Sequence, residues 1–362
     1  MNIPPHLTHL PAYIPGESVE SLAARLGRAP ESILKLDANE NPYGPPPAVA
    51  RALAALDPSR YPDAEQRHLR TALSDYLSIP AEFLLAGNGS DELLSLLAQT
   101  LLQPGESILV CPPTFSMYAF YAQLKNCQVV SVPRRADFSL DVDGIFSAAQ
   151  GHSPKIIFLD NPGNPTGFTL PAADVEKLLT LPTLIVLDEA YIEFSESPSA
   201  ISRVPECENL VVLRTFSKWA GLAGLRVGYG AFPHWLGNLL WQAKSPYNLT
   251  QAAAAAVAAL DERDLLRANL AKIRAERERL ARALRRFQGL TVYPSAANFL
   301  LVRVDPSTFG LSAAKSARRS RNRGFSSACL SRSTACASPL AHQSRLIRCW
   351  KRWLVHLGIN KC

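Results

Sequence analysis

The sequence predicts an α/β protein in which a mostly parallel sheet, flanked by helices, is followed by a smaller α+β domain. Three observations carry that expectation. Between Leu84 and Gly230, short apolar runs alternate with segments of helical periodicity, the alternation expected of a parallel sheet. Four of those runs, "SILVCPP", "KIIFLDNP", "TLIVLDEAY" and "NLVVLRTFS", are apolar at successive positions, as strands covered on both faces must be. Each run ends in a polar cluster, where open α/β sheets place their ligands.

In chain order, residues 1–45 are rich in Pro and end "LDANENPYGPPP", an N-terminal arm and loop. Residues 46–260 read as the large domain. Within it, "SDELLSLLAQTLL" has an amphipathic helical pattern and opens with hydroxyl and carboxylate residues suited to a helix start. "DERDLLRANLAKIRAERERLARALRRF", Asp261 to Phe287, reads as a long charged helix, and "LTVYPSAANFLLVRV" as strands. Together they make a small C-terminal domain over residues 261–310, followed by an atypical basic tail, residues 311–362.

The net charge of +7 is unevenly spread. From Leu311 onward there are eight Arg, three Lys and no Asp or Glu, so the tail carries +11 and residues 1–310 carry −4. The body is therefore mildly acidic, and nucleic acid is not its expected partner. The start "MNIPPHLTHL" lacks the layout of a signal peptide and no apolar run reaches spanning length, so a cytoplasmic protein without a membrane partner is expected. The histidines and cysteines show no HExxH or CxxC spacing, and no metal is expected.

Four polar clusters at strand ends could carry chemistry. "GNGSDE" pairs glycines with a helix start, which suits an anion held by backbone N–H groups, although Gly-Asn-Gly alone is also an ordinary turn. "DNPGNPTG" places Asn164 in a stiff Pro-flanked loop that could equally be a turn. "LIVLDEAY" places Asp188 directly after apolar strand residues, where a carboxylate needs a cation; a metal ligand or helix cap are the alternatives. In "RTFSKWAGLAGLRVGYG", Thr215 and Ser217 flank Lys218 in apolar surroundings, with Arg226 eight residues on. A desolvated lysine amine is nucleophilic, whereas a surface lysine merely snorkels.

These pieces occur together with "LDANENPYGPP", "YPD", "PPTFSMY", "DEAYIEF" and "KSPYN", in order over residues 13–248, and "ANFLLVRV" extends the series to about 304. As a set they resemble the fold-type I, class-II aminotransferases that depend on pyridoxal 5′-phosphate (PLP), specifically the histidinol-phosphate aminotransferases. The resemblance implies that Lys218 forms the imine with PLP and shuttles a proton during transamination. It implies that Asp188 pairs with the pyridine nitrogen, and that Asn164 and Tyr191 hydrogen-bond the phenolic oxygen. Phe115 would stack on the ring. Arg226, Ser217 and Thr215 would grip the phosphate together with the backbone at Ser90 and Asp91, and Gly221, Gly224 and Gly228 would allow close backbone approach. Tyr61 would reach the neighbouring subunit's phosphate, making the active site a property of a homodimer.

The implied reaction, a step of histidine biosynthesis, exchanges an amino group between L-histidinol phosphate and 2-oxoglutarate. Three rivals keep the same cofactor site: a PLP-dependent threonine-phosphate decarboxylase, a broader aromatic or aliphatic amino-acid aminotransferase, and a PLP-binding protein without turnover.

After "ANFLLVRVDP" the likeness stops. The family continues with strands resembling G-I-x-V-R and R-I-x-V-G, whose arginines are expected on substrate phosphate and α-carboxylate. An out-of-frame reading accounts for the difference: one-base shifts of codons for Arg323 to Ala328 and Ala341 to Leu346 can spell Gly-Val-Phe-Leu-Arg and Arg-Ile-Ser-Leu-Gly. The coding DNA decides this, the rival being a basic extension that binds RNA or membrane. Either way the chain is expected to bind PLP yet transaminate poorly, unless Arg345 or Arg348 substitutes.

Overall fold

Seven strands form the main sheet of the computed structural model, which describes residues 3–10, 16–305, 325–326, 330–331 and 334–337. They are β1 (Leu84–Asn88), β2 (Ser107–Val110), β3 (Gln128–Ser131), β4 (Ile156–Asp160), β5 (Leu184–Asp188), β6 (Leu210–Thr215) and β7 (Val227–Ala231), in the spatial order β1-β7-β6-β5-β4-β2-β3. All neighbours are parallel except those of β7, which runs antiparallel to both β1 and β6. The four runs read as buried parallel strands are β2, β4, β5 and β6, and every residue in them is buried. Successive side chains point to opposite faces, which divides them between two cores. Ile157, Leu159, Ile185, Leu187 and Val212 pack on one side; Phe158, Val186, Val211 and Leu213 pack on the other.

The reversal of β7 decides where the chemistry gathers. Because β7 is antiparallel, its first residues lie beside the last residues of its neighbours: Val227 pairs with Asn88 and Gly228 with Thr215. Arg226, just before β7, is thereby delivered to the sheet edge where Asp160 and Asp188 end β4 and β5.

The helices named below are α1 (Ser90–Leu101), α2 (Met117–Leu124), α3 (Phe216–Trp219), α4 (Ala253–Asp261) and α5 (Arg263–Leu284). The long charged helix expected from Asp261 starts at Arg263, because Glu262 leaves helical geometry at φ −99°, ψ 28° and makes Asp261 the last residue of α4. Leu266, Leu270, Ile273, Leu280 and Leu284 give α5 a buried stripe at helical spacing. Its C-terminal half shares a separate small core with the antiparallel strands β8 (Leu290–Val292) and β9 (Leu300–Val304). In the tail, the backbone of Thr334–Ala337 pairs antiparallel with β9, and Phe325–Ser326 runs parallel to Leu34–Lys35. Apart from that backbone, the residues concerned in the displaced-frame reading, Arg345 and Arg348 included, lie outside the described residues. Among the described residues no helix is long and apolar enough to cross a membrane.

Candidate active site

Lys218 sits on the short helix α3, whose start is capped by Thr215: its Oγ1 accepts a hydrogen bond from the Ser217 amide at 3.1 Å. Phe216 and Trp219, both fully buried and stacked with ring centroids 5.7 Å apart, pin the backbone on either side. The lysine between them is half-buried. Its Nζ donates to the Ala38 carbonyl at 2.6 Å, in the "LDANENPYG" loop. That loop is anchored from both sides: Asn41 donates to the Trp219 carbonyl at 2.8 Å, and Asn298 donates to the Asn39 carbonyl at 2.9 Å. Gly221 lies at φ +73°, and a Cβ there would stand 2.5 Å from the Gly44 carbonyl carbon, so glycine is what lets the loop close on the lysine turn.

Asp188, the last residue of β5, is buried, as the sequence predicts for a carboxylate at a strand end. Its Oδ2 accepts from the Tyr118 hydroxyl at 2.8 Å and its Oδ1 from the Ala190 amide at 3.0 Å. Loss of solvent pushes its carboxyl up to about 7 against the opposing effect of those hydrogen bonds. At neutral pH such a group is only partly ionised until a cation meets it. Tyr118 was missed in the sequence. It lies three residues beyond Phe115 in "PPTFSMY", in the first turn of α2, and the run of aromatics there is the signal that could have found it.

Asn164 and Tyr191 come together from the loops after β4 and β5. The Asn164 amide lies 3.5 Å from the Tyr191 hydroxyl, which also accepts from Asn39 at 3.2 Å. Asn39 occupies the left-handed region at φ +52°, a conformation asparagine tolerates. Its part in this cluster is a second feature not singled out from sequence. Phe115, half-buried, packs edge-on to Tyr118 with centroids 5.6 Å apart.

Across the same edge lies an anion cradle. Gly89, at φ +80°, precedes α1 and no side chain caps the helix, so the hydroxyl and carboxylate that open the segment do not close its N-terminus. Asp91 instead turns its carboxylate to Arg226 Nη2, 2.8 Å away, and Glu92 accepts from the Asn88 amide at 2.5 Å. Arg226 Nη1 lies 3.5 Å from Ser217 Oγ, which takes a hydrogen bond from Thr215 Oγ1 at 2.9 Å. A Cβ on Gly89 would run into the Arg226 guanidinium, and one on Gly228 into the backbone nitrogen of Ser90. Uncapped helix amides and two hydroxyls thus gather around the Arg226 guanidinium, a donor set that fits a phosphate monoester.

Among the sequence-predicted residues, Asp188, Thr215, Asn164, Tyr191, Phe115 and Arg226 come from strand ends and loops along this edge, Ser90 and Asp91 from the first turn of α1, and Ser217 and Lys218 from α3. Tyr61 stands apart: it is 81% exposed and stacks on Tyr247 with centroids 4.6 Å apart.

The family model "Aminotransferase class I and II" matches residues 31–336. A chloroplastic histidinol-phosphate aminotransferase from Nicotiana tabacum is 50% identical over 315 residues, 86% of this chain and 76% of the relative. A histidinol-phosphate aminotransferase from Roseiflexus castenholzii is 50% identical over 307 residues, 83% of this chain and 82% of the relative. The crystal structure of a histidinol-phosphate aminotransferase from Sinorhizobium meliloti, in complex with pyridoxal-5′-phosphate, superposes with a TM-score of 0.85 at 27% identity, covering 98% of this chain and 97% of that one.

Proposed function

The chain belongs to the class I and II aminotransferases and, within them, to the histidinol-phosphate aminotransferases, and from that premise we propose that it transfers the amino group of L-histidinol phosphate to 2-oxoglutarate with PLP as cofactor. The observation that carries this reading is the convergence of Lys218, the buried Asp188 and the cradle around Arg226 along one sheet edge. The donor set fits PLP at each end: an amine for its aldehyde, a buried carboxylate for its ring nitrogen, and uncapped amides with a guanidinium for its phosphate. When bound, PLP supplies the carbonyl carbon and the electron-withdrawing ring that amino transfer needs.

The chain's own residues do the rest. Lys218 would exchange its bond to the Ala38 carbonyl for the cofactor's aldehyde carbon, with loss of water, and once the substrate amine displaces it would hold the proton moved to and from the substrate α-carbon. Asp188, held by Tyr118, would supply the carboxylate for the ring nitrogen. Asn164 and Tyr191 would hold the phenolic oxygen, and Phe115 would pack on the ring. Arg226, Ser217, Thr215 and the amides at Ser90 and Asp91 would bind the phosphate. A homodimer completes the proposal: Tyr61 projects outward to a second copy's phosphate site. The proposed location is the cytoplasm.

Two measurements test this. Borohydride reduction followed by peptide mapping should label Lys218, and incubation with histidinol phosphate and 2-oxoglutarate should yield glutamate, with neither result in Lys218→Ala. Release of carbon dioxide from threonine phosphate without glutamate formation would favour the decarboxylase. A label with no amino transfer at any substrate concentration would favour a binding protein.

A further inference from the structure

Beneath the two loops that carry Phe115 and Asn164 lies a buried ion pair that the reaction does not itself use. The Arg134 side chain is 0% exposed and its Nη2 donates to Asp160 Oδ1 at 2.5 Å; the Asp160 side chain is 4% exposed. The rest of the guanidinium is spoken for by the chain on either side. Its Nε donates to the Cys111 carbonyl at 3.2 Å, just after β2, and its Nη1 to the Phe138 carbonyl at 3.2 Å. The other oxygen of Asp160 accepts the backbone amide of Asn164 at 2.7 Å. One guanidinium therefore ties the strand end leading to Phe115 to the loop holding Asn164.

A buried pair of this kind is weak evidence for stability, since apolar residues of similar volume often serve as well. What the fork geometry adds is direction. Asp160 also sits in register with Asp188 on the adjacent strand, so its charge must be matched nearby, and Arg134 matches it.

We propose that Arg134 is a positioning residue: through Asp160 it fixes the Asn164 backbone, and thereby aims the Asn164 amide at the phenolic oxygen of the cofactor. The inference rests on the PLP reading. It predicts an electronic effect. A donor on that oxygen stabilises its negative charge and lowers the pH midpoint at which the visible band of bound PLP titrates.

The test is a spectral pH titration of PLP-loaded wild type, Arg134→Met, Asn164→Ala and the double variant, with folding followed by circular dichroism. Arg134→Met should raise the midpoint by about half a pH unit or more. In the Asn164→Ala background it should add nothing, because the group through which it acts is gone. An unchanged midpoint in folded Arg134→Met overturns the proposal, as does an equal shift in both backgrounds. If Arg134→Met does not fold, Arg134→Lys is read the same way, since an ammonium cannot span the three carbonyl and carboxylate partners at once. A wild type that takes up no PLP at Lys218 would instead sink the reading on which the proposal rests.

Discussion

Tyr118 and Asp188 are joined by a hydrogen bond of 2.8 Å, with both side chains removed from solvent. Tyr118 reaches across from α2 and is itself stacked on Phe158 with centroids 5.1 Å apart, so the hydroxyl has little freedom to turn elsewhere. The bond favours the ionised carboxylate, the form a protonated ring nitrogen requires. A hydrogen bond to a charged group contributes about 1.5–3 kcal/mol. Tyr118→Phe should therefore weaken PLP retention by roughly ten- to a hundredfold, read from cofactor dissociation on dilution. Retention equal to wild type would reduce Tyr118 to a packing residue.

The raised carboxyl of Asp188 has a consequence for the cofactor-free chain. Its folded value of about 7 lies above the ordinary 3.8, so between those values the folded state binds more protons than the unfolded state. The stabilisation this confers is complete below about pH 4 and is lost as the pH rises through about 7. Glu189, raised to about 7 by burial, acts with the same sign. Asp188→Asn should flatten part of that decline in melting temperature, and the same decline in both proteins would contradict it. Loading PLP should also flatten it, by giving Asp188 its cation.

Gly228 bears on the cradle and on stability at once. Because a Cβ there meets the Ser90 backbone nitrogen and the Gly89 carbonyl carbon, Gly228→Ala must push β7 away from the start of α1. The cost should be about 1–3 kcal/mol in denaturant unfolding, together with loss of PLP retention. A variant as stable as wild type would mean that the cradle yields more easily than the backbone contact implies.

Arg226→Lys separates charge from geometry. The ammonium keeps one positive charge but not the fork that meets Asp91 and the neighbouring hydroxyl. PLP affinity should fall by about tenfold or more, while Lys218 remains able to react at saturating cofactor. Competition by inorganic phosphate provides the measurement: wild type should be inhibited more strongly than the variant.

The sequence of the tail leads to an expectation about turnover rather than about cofactor binding. The residues that fit PLP all precede residue 305, whereas the arginines expected for substrate lie where this sequence departs from the family. Loss of a buried arginine–carboxylate contact costs about 2–5 kcal/mol. PLP retention should therefore be ordinary for the family and amino transfer slow. Steady-state rates matching an intact relative would show that the tail supplies an equivalent group.

Much of this was readable along the chain. Strands β2, β4, β5 and β6 declare themselves because a strand covered on both faces reads as a near-continuous apolar run, broken here only at its ends. Lys218, Asp188, Asn164 and Arg226 lie in polar clusters that stand out where such runs end, but each cluster alone also fits a turn, a cap or a surface side chain, and their cofactor roles come from the resemblance of the whole motif set. Other features needed the folded chain. Arg134 and Arg135 are neighbours of identical chemistry, yet the first is sealed against Asp160 and the second is 53% exposed beside Asp141. Nothing local distinguishes them, since the outcome depends on which side of the segment faces β4. The closure of Ala38 over Lys218, the Tyr118–Asp188 bond and the delivery of Arg226 by an antiparallel β7 are likewise contacts between residues distant in sequence. Local pattern sets which segments become strands and where polarity breaks them. Strand order, direction and register decide which of those breaks meet, and they follow from how the whole set of apolar faces can be buried together.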